Sequence, residues 1–230
     1  MPRSETMVPD PALAAYGEGA GRHLEALRVR QDQARRALRS LTPPNWRRGR
    51  GFSLTPDPVD LSTYAPRRGE SPVRGVDVRD KRALVIVDGV LAGVPTHLPE
   101  DFEVYLLGPG GSDILPDDIV SQIASVVRPD ADFYSALNLA ALTSAIVVRV
   151  RAGKAPKDAL RIRHVLRSDG TVALARVVLV IEESARATVI EETVSEMPAG
   201  RPATDALTAS VTEMTVGDGA HLVYADLSEL

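Results

Sequence analysis

The sequence predicts an α+β protein, with an N-terminal helical and small α/β segment followed by a long series of strands. Three observations carry that prediction. An apolar stripe at helical spacing occupies residues 22–41, and two shorter helical patterns fall between Leu115 and Leu142. From Ser144 onward the apolar period changes to two. Residues 132–194 contain His164 as their one histidine and no cysteine, so the strands run on without a cluster of reactive side chains. That composition suits a scaffold better than a self-contained enzyme.

Residues 1–11 hold Pro2, Pro9 and Pro11 among polar residues and read as disordered. Leu13, Tyr16, Ala20, Leu24, Leu27, Ala34, Leu38 and Leu41 then recur at steps of three, four or seven, with a gap at Gln31. Gly17, Gly19 and Gly21 weaken the first half, which places the helix from Arg22 to Leu41. Thr42-Pro43-Pro44 ends it, because proline disfavours helical geometry in the residue before it. Seven prolines or glycines between Pro43 and Pro66 mark an extended connector that reaches residue 80.

Ala83–Gly93 is two apolar runs around Asp88-Gly89, the pattern of a two-residue hairpin. Glu103–Gly108 reads as a strand. Asp117 and Asp118 suit a helix N-terminus, with Ile119, Ile123 and Val126 or Val127 on one face. Asp130 or Asp132 caps the next helix, which carries Phe133, Leu137 and Ala141 on one face. Ile146–Val150, Leu160–Val165, Val177–Ile181, Ala187–Glu192, Val211–Val216 and His221–Leu227 follow as strands. The continuously apolar 177–181 run suits a strand covered on both faces. Periodicity leaves a sandwich and a solenoid both open. The chain divides into 1–81 (helix and linker), 82–143 (small α/β segment) and 144–230 (strands).

At 230 residues there is ample length to bury a core, and 44% hydrophobic with 25% charged residues is ordinary for a folded protein. No apolar run reaches the roughly 20 residues that span a bilayer, and the N-terminus has no signal-like apolar region. The absence of cysteine removes disulfides, thiolate catalysis and cysteine-bound metal from this chain, and it fits a cytoplasmic location. The net charge of −4 is unevenly spread. Residues 22–50 carry nine arginines against Glu25 and Asp32, whereas residues 182–230 carry ten acids against Arg186 and Arg201. The arginines suggest phosphate binding. A leucine stripe turned to the protein with its arginines in water is the better reading, the basic face being a docking surface for a partner.

Motifs for chemistry are sparse. Gly108-Pro109-Gly110-Gly111-Ser112 lacks the lysine and hydroxyl residue of a phosphate loop and reads as a turn. His23, His97, His164 and His221 have no metal-ligand spacing; stacking of strands would have to bring His164 and His221 together with Glu182 or Glu192 to make a metal site. Glu182-Glu183 and Glu191-Glu192 are adjacent pairs that point to opposite faces of a strand, so neither pair clasps one substrate. Ser135 lacks a nucleophile elbow and a base. No catalytic, cofactor-binding or metal-binding residue is assigned.

Several segments, in order, resemble the SufB/SufD family of the Suf iron–sulfur cluster assembly system. They are Pro44–Arg47 with Phe52–Leu54, Leu84–Gly89, Phe133–Leu139 (FYSALNL), Val148–Gly153, Ala175–Thr193 and Val211–Leu227 with Glu213, Gly217 and Ala220. In the closest of them, an arginine opens a strand, an acidic turn follows and a second strand ends in Ile-Glu, which favours the SufD branch over SufB. Thr143-Ser144 and Arg151 depart from the family pattern.

The resemblance implies that residues 144–230 form part of a right-handed parallel-type β-helix. It implies a non-catalytic structural subunit that assembles with a SufB-like protein and the SufC ATPase. The cluster would be handled by the full complex, with no cofactor held by this chain alone. It further implies that the cluster-related residues and the SufC-binding part lie beyond Leu230, and that the open edges of the β-helix pair with a second copy. A stand-alone metal- or carbohydrate-binding β-solenoid is the alternative; a nucleic-acid-binding role is not expected.

Overall fold

The computed structural model describes residues 25–41, 46–47, 53–54, 83–95, 97–108, 115–142, 144–167, 172–195 and 207–229. The expected disorder of residues 1–11, the first part of the leucine stripe, and the connector apart from two short strands lie outside them. So does the glycine-rich turn beyond Gly108.

Helix α1 (Glu25–Leu38) is followed by a two-residue antiparallel pair, β1 (Trp46–Arg47) and β2 (Ser53–Leu54). Then come β3 (Ala83–Val87), β4 (Val90–Gly93), β5 (Phe102–Leu107), α2 (Asp117–Gln122) and α3 (Phe133–Ala140). The strands β6 (Ser144–Val150), β7 (Leu160–Leu166), β8 (Val172–Ala173), β9 (Ala175–Ile181) and β10 (Arg186–Ser195) follow. The series continues with β11 (Leu207–Thr208), β12 (Val211–Val216) and β13 (His221–Glu229). The fold is mixed α+β with few helices and two mostly parallel sheets.

One sheet has the order β13-β10-β7-β3-β4 and the other β12-β9-β6-β5. Successive long strands alternate between them, β6, β9 and β12 in one and β7, β10 and β13 in the other, and within each set of three the pairing is parallel. The antiparallel partners β4 and β5 close the opposite edges. Since β3 pairs with β7 and β5 with β6, both sheets run across the 143/144 boundary drawn from sequence.

The turns stack as the strands do. Gly153 and Arg186 bond the 151–154 turn to the 182–186 turn, and Ser184 and His221 bond that turn to the next, at 217–221. Gly217 is required there: a Cβ would lie 2.8 Å from Glu183 N and 3.0 Å from Glu182 C. The expected hairpin forms at Asp88-Gly89, whose φ values of 49° and 80° are those of a tight two-residue turn. A Cβ on Gly89 would meet Leu174 N at 2.9 Å, so the hairpin rests directly on the strand layer.

Apolar alternation sorts the interior into layers. Ile146, Val148, Val177 and Leu179 face Leu160, Ile162, Ala187 and Val189 between the sheets. Ala145, Val147 and Val178, on the other face of the β6–β9 sheet, pack under α1, α2 and α3. Helix α1 buries Leu27, Ala34 and Leu38, and Gln31 fills the gap in the stripe as a buried residue. Asp132 caps α3 through a 3.0 Å bond from Ser135 N–H. Helix α2 is shorter than the sequence pattern predicts. Its chain leaves helical geometry at Ile123 (ψ 124°) and turns at Ala124 (φ 59°), so Val126 and Val127 are not on its face.

Candidate functional site

Two buried polar networks stand out in the interior. The first joins the sheets to the helices. Arg176 and Glu213 are fully enclosed and pair at 3.0 Å. They occupy neighbouring strands and face the helix layer. Arg176 Nε–H also donates to Asn138 Oδ1 at 3.0 Å, and Asn138 Nδ2–H₂ donates to the carbonyls of Ala175 and Ala209. The Glu213 carboxylate accepts the backbone N–H groups of Ala124, Val126 and Val127 at 2.8, 2.9 and 3.0 Å. One carboxylate thus fixes the chain reversal after α2. Burial pulls the Arg176 pKa down and the Glu213 charge opposes that fall.

The second network lies between the sheets. His164 Nε2 is 2.7 Å from Glu191 Oε1, and both side chains are about 5% exposed (6% and 5%). Thr212 and Tyr224 hydroxyls donate to Glu191 Oε2 at 2.9 and 2.8 Å. Three successive coils of chain therefore converge on one carboxylate. Burial raises its pKa, but the bonds from His164, Tyr224 and Thr212 outweigh burial and hold it below the usual carboxylate range. Burial and the neighbouring Glu191 charge push the Tyr224 phenol well up.

The surface carries ion pairs of lesser weight. Glu182 accepts from Arg149 Nε at 2.6 Å and from Ala152 N–H at 2.9 Å, and Arg149 also reaches Asp118. Arg151 pairs with Glu103 and Lys154 with Asp101. A groove of about 830 Å³ lies between the 97–101 and 155–161 segments, with His97, Lys157 and Arg161 set among Glu100, Asp101 and Asp158.

The residues weighed from sequence do not converge. In the parallel register His164 aligns with Thr193 and hence with Ser228, seven positions along β13 from His221. That is about 23 Å at strand spacing. Glu182 sits in the turn after β9, whereas Glu192 pairs with Arg161 on the other sheet. Ser135 is engaged by its cap residue Asp132. Among the described residues no group of three His, Cys, Asp or Glu could hold a metal ion. Of the arginines of residues 22–50, Arg30 is structural: it donates to the carbonyls of Ser121 and Ile123 at the end of α2.

Sequence reasoning did not find either network as a unit. Asn138, Arg176 and Glu213 each fell inside a segment quoted for the family resemblance, which was the available signal. Glu191 adjoins Glu192 in the sequence, and only the register of β7 on β10 brings it to His164.

No helix among the described residues is long and apolar enough to cross a membrane. No curated protein matches the chain. Residues 164–230, from the buried histidine through β13, match the family described as SUF system FeS cluster assembly, SufBD core domain. That match supports membership of the SufB/SufD family and a role related to Suf iron–sulfur cluster assembly, and it does not separate SufD from SufB.

Proposed function

We propose that this chain is a SufD-type structural subunit of the Suf iron–sulfur cluster assembly scaffold, without catalysis of its own. The match over residues 164–230 is the observation that carries the reading. The fold agrees with it. Strands that alternate between two parallel sheets, with turns stacked on turns, are what a right-handed β-helix requires. The buried acids and bases are bound to one another and to backbone, so they act as braces. The cluster is cargo of the assembled complex, formed with a SufB-like subunit and a SufC-type ATPase in the cytoplasm. The open sheet edges serve for association with further β-structure, including a second copy of the chain.

Co-expression with SufB and SufC, with an affinity tag on this chain, tests the proposal. SufB and SufC eluting in fixed proportion with the tagged chain is the expected result. An untagged SufB–SufC complex that forms in full while the tagged chain elutes alone sinks it. Replacement of SufB rather than SufD in the complex would reassign the chain to the SufB branch.

A further inference from the structure

Two loops cross between the sheets side by side. Residues 94–101 lead from β4 to β5, and residues 151–159 lead from β6 to β7. The pairing of Phe102 with Val150 sets them next to each other, and the groove of about 830 Å³ lies between them. That volume falls within the range of ligand-binding pockets. Leu98 and Pro99 line one wall and Ala155, Pro156 and Ala159 the other, with Leu98 resting on the core between the sheets.

Charge sets this groove apart from the surface beside it. On the adjoining turns Arg149 pairs with Glu182 and Asp118, Arg151 with Glu103, and Lys154 with Asp101. In the groove, the side chains of His97 and Glu100 on one wall and of Lys157 and Asp158 on the other have no hydrogen-bond or ion-pair partner among the described residues. Each wall therefore presents an unpaired base and an unpaired acid. The other two charged lining residues are held in place, Asp101 by Lys154 and Arg161 by Glu192.

This lining selects a chemical class. Three acids stand against three bases, so a phosphate or a nucleic-acid strand would meet as much repulsion as attraction. No Phe, Tyr or Trp lines the groove to stack a nucleobase or a sugar ring. An extended peptide carrying both an acid and a base satisfies both walls, and the small residues between its charges cover Leu98, Pro99 and Pro156. Residues 155–159 belong to no strand or hydrogen-bonded turn, which leaves main-chain groups for a peptide backbone to meet. Pro99 and Pro156 fix φ on each wall, so binding orders little of the groove itself.

We infer that the groove between residues 97–101 and 155–161 binds an extended, mixed-charge peptide segment of a partner protein. The site is independent of the Suf role, and its test contains no other Suf protein.

The intact chain is titrated with blocked eight-residue peptides that carry one glutamate and one lysine, set one to five positions apart among serine and threonine, and amide shifts are followed by NMR. At least one spacing should bind with a dissociation constant of about 100 μM or tighter. Its shifts should be confined to residues 97–101 and 155–161. Counterparts with two glutamates or two lysines should bind about tenfold more weakly. Lys157→Glu and Glu100→Lys should each weaken the best peptide about tenfold, whereas Glu183→Lys, an exposed charge outside the groove, should leave it unchanged. All three positions are exposed, and an unshifted remainder of the spectrum verifies that the variants are folded. No binding at any spacing up to about 1 mM overturns the inference. So do equal binding of the like-charged peptides, shifts centred elsewhere, or indifference to both Lys157→Glu and Glu100→Lys.

Discussion

Glu213 meets a buried cation and a reversal of the chain with one carboxylate. It neutralises the buried Arg176 and ends three backbone N–H groups that would otherwise be without partners. Glu213→Ala leaves a buried cation uncompensated, and a cost of about 3–5 kcal/mol is expected in urea unfolding. Arg176→Met with Glu213→Leu removes both charges but not the need of the amides, so it should recover part of that loss and not all. Glu191 gives a different signature. Its folded pKa lies below its unfolded value, so its stabilisation is present above the ordinary glutamate range and is lost as pH falls through the folded value. Thermal midpoints should hold steady from pH 7 to about 5 and fall below about pH 4. Glu103 and Glu182 shift in the same direction, so the informative quantity is the difference between the unaltered chain and Glu191→Gln. A Glu191→Gln profile that falls as steeply as the original would show that this carboxylate contributes nothing to the acid limb.

The elements show which signals were legible in the sequence and which were not. The Asp88-Gly89 hairpin was legible, and the cap of α3 was narrowed to Asp130 or Asp132, because their causes lie within four residues; Asp132 holds it. The buried face of α1 was legible from its leucine spacing. The early end of α2 was not: Ala124 turns because a carboxylate 89 residues away accepts its N–H. The partner of His164 was equally hidden, because Glu191 reaches it only through the register of β7 on β10, which no local pattern states. The stacked turns give the prediction proper to this scale. A methyl group at Gly217 must displace the backbone of the turn beneath it, since its neighbours are Glu183 N and Glu182 C rather than flexible side-chain ends. Gly217→Ala should cost about 1–3 kcal/mol and lower amide protection at Glu182–Ala185 as well as in its own turn. Unchanged exchange at 182–185 would mean that the two turns are not in register.

At the scale of the whole molecule, the switch from helical to alternating period marks the start of the long strand series, but β3, β4 and β5 of the same sheets precede it and the pairing of the strands needed the structure. A period of two is common to sandwiches and solenoids, and nothing in it says that β6 should lie beside β9 rather than β7. The two polar networks bind the layers at points where apolar packing alone would let them slide. Glu213 ties β12 to the helices, and Glu191 ties β7, β10 and β13 into one column. The alternation of strands between sheets carries a further consequence. Each strand leans on one made earlier in the chain: β9 on β6, β10 on β7, β12 on β9, β13 on β10. A chain leaving the ribosome would therefore meet a finished template at every step, and no strand of this series would have to wait for a partner not yet synthesised.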